Sequence, residues 1–220
     1  MSGMSGGTSG VDLLIVAAFH PELGPLRATL GDTLAGRVGS RWVVATPVGI
    51  GLPQASVGAA LRIADGRPRA VLLVGTCGAY PGTSLRIGDA VVARRALLVD
   101  PAVVEGAAQF PDAMSLASEC DPAMHAALVG AGGVAADVAT TLAVTVDDAV
   151  AARVSLAARA QAEHLEAHGV ASACATLGVP FAAVLGVANV VGSRARDEWR
   201  ANHRASAQAA IDVVTAWLGC

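Results

Sequence analysis

Aromatic side chains are scarce in this sequence: three tryptophans, three phenylalanines and one tyrosine make up 3% of 220 residues. The hydrophobic fraction is nevertheless 54%, much of it Ala and Val, so small-residue helices packed closely on a sheet are the expected core. Charge is thin as well, at 15% with a net value of -3, and no basic run with interleaved aromatics occurs. That composition excludes the electrostatic footprint of a nucleic-acid-binding protein. Cys77, Cys120, Cys174 and Cys220 are scattered without Cys-x-x-Cys spacing, so neither a metal knuckle nor a disulfide framework is indicated, and a reducing cytoplasm suits them. No uninterrupted apolar segment is long enough to span a bilayer, and residues 1–10 lack the basic start and apolar centre of a signal peptide. A flexible tail over 1–10 and a cytoplasmic protein without membrane contact are therefore expected.

What is present is organised around Val71 to Arg95. Two apolar runs, Val71–Val74 and Ala90–Ala93, have the length of buried strands, and the stretch between them, rich in glycine and hydroxyls, reads as an open loop that suits a polar small molecule. Gly75 and Gly78 remove side chains that would hold a ligand off the backbone, and Thr76 offers a donor. A tight turn requiring positive φ is the other reading of the same glycines. The apolar run Val11–Phe19 predicts a strand covered on both faces, ended by His20-Pro21-Glu22 and followed by a helix through Leu23, Leu26 and Leu30. Glu22 then stands at a strand end, the edge where open α/β sheets bind ligands, or simply complements the helix dipole.

Trp42–Val48 predicts another strand, with Gly49-Ile50-Gly51 leading into a helix over residues 54–64. The third glycine of a dinucleotide fingerprint is missing and Pro53 intrudes, so a Rossmann motif is rejected; a glycine turn approaching a ligand and a plain turn both remain. Residues 96–133 are interrupted by Pro101, Gly106, Pro111 and Pro122 and read as a lid, an oligomer contact or surface loop. A strand pattern resumes over Val134–Val146, with Thr145 and Asp148 as a helix start for 147–159. Glu166–Leu177 reads as a buried helix with an acid at its mouth and Gly178 as its stop; Phe181–Ala188 is a further strand ending at Asn189. A last helix over residues 197–218 carries Ala207, Ala210, Ile211, Val214, Trp217 and Leu218 at helical spacing. With no internal repeat or linker, residues 11–220 form one α/β domain, a central mixed β-sheet flanked by helices.

Glu22 after the first strand, the Gly75–Gly78 segment, Glu166 opening a helix and Asn189 closing a strand form an ordered set at strand ends. This order, with Val74-Gly75-Thr76-Cys77-Gly78-Ala79, Leu85-Arg86-Ile87-Gly88-Asp89 and the Leu165-Glu166 pair, resembles the nucleoside phosphorylase and hydrolase superfamily, including the methylthioadenosine/S-adenosylhomocysteine nucleosidases. Gly78-Ala79-Tyr80-Pro81-Gly82 and Asn189-Val190-Val191-Gly192-Ser193-Arg194, followed by Trp199, look most like its futalosine hydrolase branch, which serves menaquinone biosynthesis. The resemblance implies cofactor-free cleavage of an N-ribosidic bond in a small purine nucleoside, with no metal, by a homo-oligomer. Glu22 would draw a proton from the attacking water. Glu166 would grip the ribose hydroxyls, Leu165 would pack on the sugar in place of a methionine, and Thr76, Cys77 and Gly78 would flank ribose and base. Ile50 would lie near the water site.

Trp199 falls where the nucleosidases place an aromatic near the base, or is a core residue at a helix start. Asn189 departs from the aspartic acid that protonates N7 in adenine-specific relatives. An amide can donate to O6 of a 6-oxopurine and accept from a protonated N7, which suits hypoxanthine, the base of futalosine. Related phosphorylases place a phosphate-binding arginine where this chain has Leu73, an aliphatic residue that cannot pair a dianion, so water is the expected nucleophile. Leu185 occupies a position where relatives often have an arginine supporting the site, and His164 and His168 flank Glu166 where others carry an acid or small residues. Arg194, Arg196, Arg200 and Arg204 form a basic cluster, either a solvated face or, at Arg194, a partner for the carboxylate of a futalosine side chain. A purine nucleoside phosphorylase, an inosine or methylthioadenosine nucleosidase, and a noncatalytic nucleoside-binding homologue are the competing readings.

Overall fold

The structure, a computed structural model, describes residues 10–219; the tail expected over 1–10, apart from Gly10, and Cys220 lie outside those residues. In chain order the elements are β1 (Leu13–Ala17), a 3-10 segment (His20–Leu26), α1 (Arg27–Leu30), β2 (Ala35–Val38), β3 (Arg41–Pro47), α2 (Leu52–Gly66), β4 (Val71–Ala79) and β5 (Ala90–Leu98). There follow α3 (Pro101–Val104), β6 (Ala117–Glu119), α4 (Pro122–Gly130), β7 (Val134–Thr140), α5 (Asp148–Ala158), β8 (Ala162–Glu163), α6 (Ala167–Leu177), β9 (Phe181–Val190) and α7 (Ala195–Leu218). Among the described residues one mixed sheet holds all nine strands in the order β2-β3-β1-β4-β8-β7-β5-β6, with β9 between β4 and β5. β1 lies parallel to β3 and β4, and β4 parallel to β9. The antiparallel β5–β9 and β4–β8 pairings, with parallel β5–β7 and β7–β8, close a ring through β4, β9, β5, β7 and β8.

The apolar runs form strands because both faces are covered: every residue of β1 is buried, as are the first nine of β9. One face packs on α2 and α6 through Ala55, Ala59, Ile63, Ala167, Val170, Ala171 and Cys174. The other packs on the 3-10 segment, α1 and α7 through Leu23, Leu26, Leu30, Ala210, Ile211 and Val214. Ile211 and Val214 are almost wholly buried, each stabilising the fold by about 1.5–3 kcal/mol of apolar burial. Small helix residues let the layers approach, as the composition predicts. The sheet therefore carries α2 and α6 on one side and α7 on the other.

Several expectations need correction. The segment after Val74 is not an open loop: β4 continues to Ala79, so Gly75, Thr76, Cys77 and Gly78 are strand residues paired with β9, and the turn begins after them. Glycines placed in a strand serve close approach rather than a turn. The helix after Pro21 is a 3-10 segment that passes into one α turn at Arg27, with Pro25 inside it. Pro101 and Pro122 do not break helices but open them, each following an aspartate whose carboxylate caps the amide two or three residues on. Residues 96–133 accordingly hold α3, β6 and α4, and β5 runs on to Leu98. β2, β6 and β8 were not legible as strands. Asp147, not Thr145, caps α5, accepting the Val150 amide at 2.8 Å. Among the described residues no helix is long and apolar enough to cross a membrane.

Candidate active site

The carboxyl ends of β1, β4 and β9, three adjacent parallel strands, open into a cavity of about 710 Å³. That size lies within the roughly 300–1,000 Å³ of small-molecule sites, and strand carboxyl ends are where such sheets bind ligands. Nine of the ten residues expected at the site line it: Glu22, Ile50, Thr76, Cys77, Gly78, Leu165, Glu166, Asn189 and Trp199. The tenth, Arg194, does not. Its side chain is 78% exposed, and Nη2 lies 3.2 Å from Glu198 Oε1 one helical turn on. Arg196, two residues further, is the arginine that faces the cavity.

Glu22 reaches the site because the 3-10 segment turns back across the end of β4. Its Oε1 accepts the Thr76 amide and the Thr76 hydroxyl, both at 3.0 Å. Oε2 is buried with no donor in hydrogen-bonding geometry among the described residues. Gly75 makes this possible: a Cβ there would come within 3.0 and 3.1 Å of the two carboxylate oxygens. The Trp199 indole donates to Thr76 Oγ1 at 3.1 Å, leaving the hydroxyl's own proton for Glu22 Oε1. Trp199 is half-buried and stacked on His203, with ring centroids 4.5 Å apart, so it supports the carboxylate as well as walling the cavity. Burial pushes the Glu22 carboxyl up to about 7; the Thr76 hydroxyl opposes this and the charge of Glu166 adds to it.

Glu166 stands at the start of α6 and makes no side-chain cap. Its Oε1 accepts the Gly51 amide at 2.7 Å, and its Oε2 lies 3.2 Å from His164 Nε2. Two carboxylates from distant parts of the chain thus face one cavity.

Asn189 owes its position to an irregularity in β9. Cys77 pairs with Val187 and Gly78 with Asn189, so Ala188 is an extra residue that shifts the register. The Asn202 amide holds the Ala188 carbonyl at 3.2 Å and Glu198 Oε2 holds the Val190 amide at 2.8 Å. Asn189 Nδ2 donates to the Val190 carbonyl at 3.1 Å, leaving its second N–H and its carbonyl oxygen to a ligand. A Cβ on Gly78 would stand 2.8 Å from that Nδ2 and 2.7 Å from Val191 Cγ2. An alanine there would have to push Val191 or the Asn189 amide aside.

Leu73 and Leu185 are fully buried in one apolar cluster and do not line the cavity. Cys77 is buried, and burial pushes its thiol well above the ordinary range, so it is a neutral wall rather than a nucleophile. His168 is buried, its Nδ1 against the Ala96 carbonyl at 3.3 Å. Among the described residues no three His, Cys, Asp or Glu side chains are grouped to hold a metal ion.

The sequence reading missed Glu163, Arg196 and the Val144–Val146 wall, all of which line the cavity. Glu163 is buried and accepts the Thr145 amide at 3.0 Å, the Thr145 hydroxyl at 2.6 Å and the Tyr80 hydroxyl at 3.0 Å. Thr145 therefore ties the wall down instead of starting a helix. An acid three residues before Glu166 was the available signal; nothing marks residues 144–146.

No curated protein matches the chain at the significance required of a relative. Solved structures do match in fold. A futalosine hydrolase mutant of Helicobacter pylori strain 26695 superposes with a TM-score of 0.85 at 17% identity, covering 95% of this chain and 99% of that one. A 5'-methylthioadenosine/S-adenosylhomocysteine nucleosidase from Colwellia psychrerythraea 34H, in complex with adenine, gives 0.82 at 20%, covering 96% of each. An S-adenosylhomocysteine nucleosidase from Streptococcus pyogenes, in complex with 5-methylthiotubericidin, gives 0.84 at 22%, covering 97% and 98%. The sequence profile that matches spans residues 14–218, almost the whole chain, and by that match the protein belongs to the phosphorylase superfamily.

Proposed function

We propose that the protein hydrolyses the N-ribosidic bond of a 6-oxopurine nucleoside, releasing hypoxanthine, and that futalosine is its substrate. The observation that carries this is the Glu22 carboxylate: one oxygen held by Thr76, the other buried, unpartnered and on the wall of a nucleoside-sized cavity shared with Glu166 and Asn189. A carboxylate with a pKa near 7 is matched to taking a proton from water near neutral pH.

The steps follow from the chemistry of the three side chains. As the bond between C1' and the base nitrogen lengthens, positive charge grows on the sugar and the electron pair leaves with the purine. Glu166 accepts hydrogen bonds from the ribose hydroxyls and holds the sugar against Glu22. The base takes a proton from solvent at N7 as it departs, and Asn189 donates to O6 and accepts from that N7–H, stabilising neutral hypoxanthine. Glu22 takes a proton from water as the water oxygen bonds to C1', the product is the free sugar, and Glu22 returns that proton to solvent, offsetting the one given to N7.

Water is favoured over phosphate because Leu73 is an apolar core residue and Arg196 is the only arginine on the cavity wall among the described residues. That single cation suits a carboxylate on the substrate's 5' substituent, the role expected earlier of Arg194. The relatives that share the fold include a protein described as a futalosine hydrolase.

The test is chromatography of futalosine, inosine and methylthioadenosine after incubation with the protein, each with and without phosphate. Hypoxanthine release from futalosine, independent of phosphate and faster than from inosine, is the expected result. Release that requires phosphate identifies a phosphorylase. Binding of these nucleosides with no base release in either condition identifies a noncatalytic homologue.

A further inference from the structure

His164 lies between β8 and α6 with its side chain 3% exposed, and it faces the cavity. Its Nδ1 is 3.2 Å from the Glu166 amide nitrogen and 3.1 Å from the Ala167 amide nitrogen. Both partners are donors and neither can accept, so Nδ1 carries no proton. A neutral ring then carries its one proton on Nε2, which lies 3.2 Å from Glu166 Oε2. The ring therefore does two things at once: it accepts two of the amides that the start of α6 leaves without partners, and it donates to the carboxylate at the same helix end.

Protonating Nδ1 would set an N–H against two N–H groups. Burial also pushes the ring's pKa below the ordinary histidine range, against the pull of Glu166. The histidine consequently orients the carboxylate without neutralising it. Gly51 N–H fixes Oε1 and His164 Nε2–H fixes Oε2, so the carboxylate plane is held from both ends. Each oxygen retains a lone pair for a further donor.

Resting on the proposed nucleosidase reading, we infer that His164 is a positioning residue, a neutral Nε2–H tautomer that holds Glu166 in the orientation from which it binds the ribose diol.

The experiment compares wild type with His164→Asn and His164→Gln on inosine and on 2',3'-dideoxyinosine, alongside ring-nitrogen NMR of the wild-type protein at pH 7. Asn keeps an acceptor for the α6 amides but falls short of Glu166, whereas Gln reaches the carboxylate with an amide N–H. His164→Asn is expected to retain the wild-type melting temperature and to lose about tenfold to a hundredfold in kcat/KM on inosine, the worth of a hydrogen bond to a charged group. It should lose little on the dideoxy substrate, which has no diol to hold, and His164→Gln should recover part of the loss. The NMR signature should show an unprotonated Nδ1 and a protonated Nε2. Equal losses on both substrates, no loss on either, or a proton on Nδ1 overturns the inference. Failure of the wild type to release base from inosine or futalosine overturns the nucleosidase reading, and the role inferred for His164 with it. Wild-type release with equal variant losses overturns the role of His164 alone.

Discussion

Replacing Glu22 by glutamine keeps the shape of the side chain and removes its charge, which separates what the carboxylate does for activity from what it costs in stability. Glu22 titrates at about 7 in the folded protein, pushed up from 4.5 by burial first and then by the charge of Glu166, with Thr76 opposing. Below pH 4.5 the group is protonated folded or unfolded, and it carries no penalty. Between 4.5 and 7 the unfolded chain releases the proton while the folded one keeps it, so stability is lost as the pH rises. Above the folded value the full penalty stands, about 3 kcal/mol from the span between 4.5 and about 7 at about 1.4 kcal/mol per pH unit.

Glutamine has no such titration. Its carbonyl can take over the two hydrogen bonds from Thr76, and whatever its amide loses or gains is the same at every pH. Urea unfolding of wild type and Glu22→Gln at pH 4.5, 6 and 8 should therefore show the variant gaining on the wild type by about 3 kcal/mol across the series. The same carboxylate should set the acid limb of the reaction. Wild-type kcat/KM should fall about tenfold per pH unit below about 7, reaching roughly a hundredfold loss at pH 5, and the variant should stand at least about a hundredfold below the wild-type value at pH 8 with no acid limb of its own. Parallel stability curves, or a wild-type rate flat from pH 5 to 8, would refute the assignment.

Thr76→Val removes the hydroxyl that lowers the Glu22 pKa, so the acid limb should move above pH 7, as a pH–rate profile would show. Gly78→Ala drives a methyl group into Asn189 Nδ2 and Val191, and base release should drop by about tenfold or more, measured as kcat/KM on the same substrates. Arg196→Ala should raise KM for futalosine about tenfold while leaving inosine nearly unchanged, and Arg194→Ala, whose side chain points to Glu198 and solvent, should alter neither.

Within the chain, the apolar runs at Val11–Phe19, Val71–Val74 and Phe181–Ala188 were sufficient to mark strands buried on both faces, and the stripe from Ala207 to Leu218 was sufficient to mark α7, because burial periodicity is a local property of sequence. The order of Glu22, Glu166 and Asn189 at strand ends, through its resemblance to the nucleoside phosphorylase and hydrolase superfamily, marked the residues that line one cavity. Tertiary contacts decided what local pattern does not encode. The Gly75–Gly78 segment reads as turn but is strand, because its backbone is paired by β9 and its missing side chains make room for Glu22 and Asn189. Thr145 reads as a cap but binds Glu163, and Arg194 stands nearer in sequence to Asn189 yet Arg196 meets the cavity, since the turn of α7 selects which side chain faces inward. The Glu22 pKa belongs to the same class. It depends on burial beneath Trp199 and Thr76 and on the charge of Glu166, groups that only the folded chain brings within reach of one another.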